Sequence, residues 1–288
     1  MPNAVEIRGL SKDFGDFQLK GVSFAVPRGY IMGLIGPNGA GKTTVIKLIL
    51  NLLRRDGGEI RVFDRDNLAH EVEVKSRIGF VHDTPYFFEH LTLRKLKDTV
   101  APFYGTWDDR IFHRLMEEFN LPLRKRFSKL SRGMKMKFAL ALALSHRADL
   151  LILDEQTAGL DPVFRRELLS KLSAFIQDEG KTVLFSTHIT SDLERIADFI
   201  TFIHRGGIVF SSPKDEIFEK WAVVKGGPEL LAEENRGLFR GIRRREFGVQ
   251  ALTDDSLSAR RQLGKQTLIE RASLEDIMFY LTRGNGHA

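Results

Sequence analysis

Two hydrophobic rhythms alternate along the first 220 residues. VEIRGL (5–10) and VSFAV (22–26) place apolar side chains at every second position, so each reads as an antiparallel edge strand. YIMGLIG (30–36) is apolar almost without interruption, as expected of a strand covered on both faces, and runs through glycines into the helix-favouring KTTVIKLILNLL (42–53). EIRVF (59–63) and RIGFV (77–81) are further short strands. From about residue 84 to 147 the strand period gives way to helical segments: LTLRKLKDTVAPF, DDRIFHRLMEEF and MKMKFALALAL. The buried-strand texture returns in DLLILDE (149–155), TVLFST (182–187), FITFIH (199–204) and IVFSS (208–212), the last two joined by an Arg-Gly-Gly hairpin. Past residue 221 the chain is richer in glycine and charge, with the amphipathic helix SLEDIMFYLTR at 273–283. The pattern predicts an α/β domain over residues 1–220 with a helical insertion at about 84–147, and a small α+β accessory extension over 221–288.

Composition narrows the class without changing this picture. Of 288 residues, 42% are hydrophobic and 28% charged, ordinary for a globular protein with a core. No apolar run approaches the roughly 18 residues that cross a bilayer, and MPNAVEIRGL lacks the basic-then-apolar pattern of a secretory signal. There is no cysteine, which excludes disulfides and thiolate metal sites and suits a reducing, cytoplasmic setting. The net charge of +6 is mild. The run RGIRRR (240–245) reads as a solvated face, or as a contact with an anionic membrane surface; it is too short to indicate nucleic acid, and no nucleic-acid partner is expected.

The chemistry is concentrated at three strand ends. GPNGAGKT (36–43) satisfies Gly-x-x-x-x-Gly-Lys-Thr between a buried strand and a helix, the context that separates a phosphate loop from a chance glycine turn. Gly36, Gly39 and Gly41 let backbone N–H groups turn inward toward phosphate oxygens, and the helix that follows presents its positive end to the same anion. Lys42 supplies a full charge to the β- and γ-phosphates, Thr43 a hydroxyl ligand for Mg²⁺, and Thr44 a further hydroxyl. LLILDE (150–155) carries two carboxylates out of a buried strand: Asp154 is placed to hold Mg²⁺ and Glu155 to act as general base on water. Alone, such a strand is as often one that ends in surface acids. STH (186–188) ends another apolar strand with His188. A fourth stretch, LSRGM (130–134), reads by itself equally well as the start of a basic helix.

In this order GPNGAGKTT, LSRGM, LLILDE, AGLD (158–161) and STH resemble the motifs of the ATP-binding subunit of an ABC transporter, over about residues 3–220. The resemblance implies a P-loop ATPase core with an antiparallel β-subdomain and a helical insertion. It implies ATP and Mg²⁺ as cofactors, with two such domains sandwiching two nucleotides. Gly36, Pro37, Asn38, Gly39, Ala40, Gly41, Lys42, Thr43 and Thr44 would hold the phosphates, and Phe14 would stack on adenine. Ser131, Arg132 and Gly133 would reach the nucleotide of the partner domain. Asp161 would lie in the dimer loop. Thr43, Asp83 and Asp154 would face the metal, with Glu155 and His188 catalytic. Four positions depart from the family pattern: Arg132 replaces glycine, Met134 glutamine, Asp83 glutamine and Gln156 proline. Ser131 and Gly133 keep the hydroxyl and the open amide, so the altered pentapeptide still has its anion-facing atoms.

The texture of LSRGM, MKMKFALALALS and the LEDI stretch (274–277) further resembles ATPase subunits of bacterial ABC-2-type exporters. The function this implies is ATP-driven dimerisation that powers a multi-span membrane permease, by a homodimer or with a paralogous ATPase. Residues 83–103 would form the coupling surface, and the chain would sit in the cytoplasm on the inner face of the membrane. Two other classes stay open at this point: a soluble, non-transport ABC ATPase of the assembly or scaffold kind, and a regulatory module without useful turnover.

Overall fold

A computed structural model of the chain describes residues 2–82, 85–155, 160–178, 180–246, 248–263 and 267–283. They divide into two compact units, one of residues 1–189 with 201–209 and the other of residues 190–200 with 210–288. The change of texture read near residue 220 thus lies past Phe210, within the second unit.

The first unit contains an antiparallel sheet in the spatial order Gln18–Pro27, Asn3–Asp13, Gly57–Val62, Arg65–Asp66. Alternate residues Val5, Ile7 and Val26, Phe24 fill its inner face. Of the two segments read as edge strands, Asn3–Asp13 is instead paired on both sides; both strands run longer than read, with register shifts in their pairing between Ile7 and Leu10 and again before Lys12. Such bulges bend a strand without ending it.

A six-stranded sheet runs in the order Gly207–Pro213, Phe199–His204, Ile31–Ile35, Thr182–Ser186, Leu150–Asp154, Ile78–Val81. Its inner strands Ile31–Ile35, Thr182–Ser186 and Leu150–Asp154 are parallel and buried at every residue, which explains their unbroken apolar texture. The helix that follows the phosphate loop, Lys42–Ile49, stops short of residue 53. The Asn67 side-chain amide donates to Leu48 O at 2.7 Å and Ile49 O at 2.9 Å, and Asn51 turns the chain at φ 49°. The last helical carbonyls are thereby satisfied from outside.

The insertion is helical: Leu93–Val100, Asp109–Glu118 and Arg132–Ser145, capped by the side chains of Thr92, Asp108 and Ser131. Phe87, Phe127 and Phe138 meet edge-on at its centre, with centroids 5.3 and 5.7 Å from Phe87, and Phe112 joins Phe138 at 6.4 Å. A further helix, Pro162–Phe175, starts from Asp161 with proline in its first turn and buries Phe164, Leu168, Leu169 and Leu172.

The second unit is α+β. Its antiparallel sheet has the order Gly241–Arg245, Gly248–Thr253, Ala222–Gly226, Leu268–Arg271. Val224, Leu230, Val249, Ala251 and Ala259 form its core. Among the described residues, no helix is long and apolar enough to cross a membrane.

Candidate nucleotide-binding and hydrolysis site

Strand register brings the motifs together. Leu34 lies opposite Ser186, and Ser186 opposite Asp154, so three parallel strands end at one level. The loops that leave these ends begin with Gly36, Thr187 and Glu155. In open α/β sheets this edge is where ligands bind. The strand of Asp154 is not the immediate neighbour of the phosphate-loop strand; the strand leading to His188 lies between them. That order places His188 centrally.

Sterics explain the glycines of the loop. A Cβ on Gly36 would stand 2.3 Å from Ile203 O, so no larger residue fits the turn out of the strand. Gly41 caps the helix at φ 114°, and a Cβ there would come 2.8 Å from Leu19 Cδ2 and 3.1 Å from Phe17 Cζ. Ala40 N–H donates to Pro37 O at 3.2 Å and Gly206 N–H donates to Ala40 O at 3.1 Å, which pins the loop from both sides. Asn38 and Gly39 are exposed at its crest, and Thr43 and Thr44 sit in the first helical turn.

Lys42 is 5% exposed. Its ammonium donates to Gly36 O at 2.8 Å and Pro37 O at 3.2 Å and lies 3.0 Å from Glu155 Oε1. The other oxygen of Glu155 is 2.6 Å from His188 Nδ1 and accepts from His188 N–H at 3.3 Å. Glu155 itself adopts φ 55°, a left-handed backbone that costs a non-glycine residue about 1–2 kcal/mol. The strain turns the chain as the strand ends, while Glu155 N–H remains tied to Ser186 O at 2.9 Å. Burial pushes the Glu155 carboxyl upward, but the Lys42 charge and hydrogen bond and the His188 contact outweigh it and hold the group below the usual range. It is a carboxylate at neutral pH.

Asp154 is 2% exposed, and Thr43 donates from Oγ1 to Asp154 Oδ1 at 3.2 Å. Burial raises its pKa above the ordinary value, against the Thr43 hydrogen bond and the nearby charge of His82. A hydroxyl and a carboxylate oxygen this close, beside a phosphate loop, fit Mg²⁺, which commonly takes one or two protein oxygens and completes its shell with phosphate and water. Asp83, the third expected ligand, lies outside the described residues, as do Gln156 and the first part of AGLD.

The remaining candidates lie on other elements of the chain. Phe14 is 46% exposed, its ring tilted against Phe17 at 6.4 Å with the Lys12 ammonium 5.7 Å above it. Ser131 and Arg132 are exposed at the start of Arg132–Ser145; the Ser131 hydroxyl accepts from Met134 N–H at 3.3 Å, and a Cβ on Gly133 would meet nothing within 4 Å. Arg132 is helical, so its replacement of glycine costs no left-handed strain. No acidic residue sits in that first turn, so the helix end keeps its positive potential, while Lys135 and Lys137 are paired with Glu89 at 3.4 Å and Glu167 at 3.6 Å. Asp161 caps its helix by accepting from Val163 N–H at 3.1 Å and Phe164 N–H at 2.9 Å.

Sequence reasoning missed three neighbours of the site: Phe17 behind Gly41, His82 facing Asp154, and Gly206, whose hairpin holds Ala40. The Arg-Gly-Gly hairpin was legible, but its docking on the phosphate loop depends on a strand pairing remote in sequence. Phe17 and His82 carried no pattern of their own.

Known proteins resemble this chain in sequence and in fold. A family model described as "ABC transporter" matches residues 19–158. The chain is 35% identical over 212 residues to the bacitracin transport ATP-binding protein BcrA of Enterococcus faecalis, over 73% of this chain and 69% of that one. It is 30% identical over 287 residues to a fluoroquinolones export ATP-binding protein of Mycobacterium tuberculosis, over 96% of this chain and 93% of that one. A solved structure titled as the ATP binding subunit of an ABC transporter superposes with a TM-score of 0.69 at 30% identity, covering 74% of this chain and 91% of its own. The chain belongs to the ABC transporter ATP-binding family: it is an ATP-binding, ATP-hydrolysing subunit that drives a membrane transporter.

Proposed function

We propose that this ATPase powers an exporter, working as a dimer of two copies or with a paralogous ATPase on the cytoplasmic face of a multi-span permease. The observation that carries the catalytic part is the single constellation of Lys42, Glu155 and His188 at the in-register strand ends. Residues 36–44 cradle the phosphates of ATP, and Phe14 faces the base. Ser131, Arg132 and Gly133 close on the γ-phosphate bound by the partner cassette, with Asp161 at the seam. The Lys42 ammonium passes from the carbonyls and Glu155 to the β- and γ-phosphates. Freed of that ion pair, Glu155 takes the proton of an attacking water, whose oxygen bonds to the γ-phosphorus as the bond to the bridging oxygen breaks. His188, already on the other carboxylate oxygen, orients Glu155 and reaches the γ-phosphate. Thr43 and Asp154, with Asp83, would hold Mg²⁺, whose charge offsets that of the phosphates.

Export is supported by the relatives named for bacitracin transport and fluoroquinolone export. For the permease contact we propose the insertion between residues 83 and 103, where Tyr86, Phe88 and Phe103 are exposed, Phe103 at 79%. Aromatic residues are enriched at protein–protein interfaces relative to the rest of the surface. Residues 1–220 form the ATP-binding domain in this reading, with the insertion at about 84–147, and 221–288 the accessory extension.

The test is a pull-down with tagged Glu155→Gln, loaded with Mg·ATP, from gently solubilised membranes of the source cell. Recovery of a multi-span membrane protein is expected. Recovery of soluble partners alone, with ATP binding intact, would replace the exporter reading with an assembly-type ATPase.

A further inference from the structure

The basic run of the second unit forms one wall of a groove. Arg243, Arg244 and Arg245 lie on Gly241–Arg245, at the edge of the sheet, where they pair with Gln250, Val249 and Gly248. Gln250 pairs on its other side with Lys225, so Arg243 and Lys225 flank it on one face. Two strand spacings separate them, about 10 Å, and Arg245 follows Arg243 on that face by about 7 Å. Together with Gly226 and Gly248 these residues line a groove of about 860 Å³.

Charged residues on an edge strand often serve only to discourage pairing with another sheet. Two observations go beyond that role. The groove collects three guanidiniums against one lining carboxylate, Glu246, and Lys225 reaches it while paired with Glu270. In the same unit Arg240 pairs with Asp254 at 2.7 Å, Lys220 with Glu216 at 3.6 Å, and Lys225 with Glu270 at 2.5 Å. Among the described residues, Arg243, Arg244 and Arg245 have no such carboxylate, and all three are exposed. Three adjacent like charges repel unless an anion lies among them. Arg243 is held by the Phe279 ring, 5.0 Å from its guanidinium, which orders that side chain in advance.

We infer that Arg243, Arg244, Arg245 and Lys225 form an anion site that binds clustered phosphate groups, separate from the phosphate loop. Guanidinium forks match phosphate oxygens in pairs, and the spacing spans more than one phosphate. Such groups come from two sources, the headgroups of an anionic lipid surface or a soluble polyphosphate. On a lipid surface each cation contributes a factor of about 5 in affinity, so removing three guanidiniums lowers binding about 100-fold.

The test uses the full chain with its phosphate loop saturated by Mg·ADP, so that loss of nucleotide binding and loss of this site are read separately. Sedimentation is measured with vesicles of phosphatidylcholine alone and with added phosphatidylglycerol, and calorimetry with inorganic pyrophosphate. Binding to the anionic vesicles alone, lost about 100-fold in Arg243→Ala/Arg244→Ala/Arg245→Ala, supports the site with a lipid source. Pyrophosphate binding that is lost in the same variant supports it with a soluble source. Arg260→Ala/Arg261→Ala removes charge from the same unit outside the groove and is expected to bind as the wild type does. If the triple variant fails to bind ADP, Arg245→Glu alone decides, with a loss of tenfold or more expected. Binding of neither ligand by the wild type, or equal losses in the control variant, would overturn the proposal.

Discussion

The Glu155 carboxylate bridges the phosphate-loop cation and the strand-end histidine: Oε1 lies 3.0 Å from Lys42 Nζ and Oε2 lies 2.6 Å from His188 Nδ1. The bridge has a consequence for stability. Despite burial, Glu155 is held below the usual carboxylate range, so the folded state binds its proton less readily than the unfolded chain. The stabilising contribution is complete above the unfolded pKa and is lost as pH falls through the lowered folded value. Glu155→Gln lacks that contribution at every pH. The melting temperature of the wild type is therefore expected to exceed that of Glu155→Gln near pH 7, with the gap narrowing on acidification. A gap that stays constant down to acid pH would contradict the ion-pair account.

Asp154 has the opposite sign. Burial raises its pKa, so the folded chain loses stability as pH rises through the ordinary carboxylate range and carries that cost at neutrality. Asp154→Asn keeps the shape and an acceptor for Thr43 while removing the buried charge. Scanning fluorimetry without nucleotide is expected to show a higher melting temperature than wild type, alongside a loss of Mg²⁺-dependent turnover of about 100-fold or more. A lower melting temperature would mean that the charge is better solvated than its burial indicates.

Ser131 has two separable tasks. Its hydroxyl caps Arg132–Ser145 through Met134 N–H, a contact worth about 0.5–2 kcal/mol, and in the proposed dimer it faces the partner's phosphate. Ser131→Ala is expected to lose both stability and ATP-dependent dimerisation. Ser131→Asp retains a capping carboxylate but sets a negative charge against an anion, so it should melt like wild type and fail to dimerise with ATP. Dimerisation of Ser131→Asp at wild-type ATP concentrations would remove the signature from the interface.

His146 is a buried base, 2% exposed and stacked on Tyr104 at 3.9 Å. Burial pushes its pKa down to about 4, with Lys181 adding to the shift and Asp149 opposing it. The unfolded chain binds this proton first, so stability falls between about pH 6.5 and pH 4, by roughly 3 kcal/mol in full. His146→Phe keeps the stack and removes the titration, and its melting temperature is expected to fall less over that window. Parallel pH curves for the two proteins would contradict this assignment.

The sequence made legible what depends on local pattern. Residues 31–35, 150–154 and 182–186 showed themselves as strands because both faces are covered, and the phosphate loop because its glycines have steric work at Gly36 and Gly41. Pro162–Phe175 had a readable start in Asp161-Pro162, yet its charged outer face blurs the apolar stripe. What stayed hidden depends on distant pairing. Only the hairpin's position gives Gly206 a hold on Ala40. The ion pair of Lys42 with Glu155 joins residues that no local signal connects.

The most direct test of the account is a paired measurement on purified Glu155→Gln and wild type: mass by light scattering with Mg·ATP, and release of inorganic phosphate from the same samples. The account predicts that Glu155→Gln doubles in mass on adding ATP and stays doubled, releasing phosphate at least about 100-fold more slowly than wild type. Wild-type phosphate release by Glu155→Gln would contradict it.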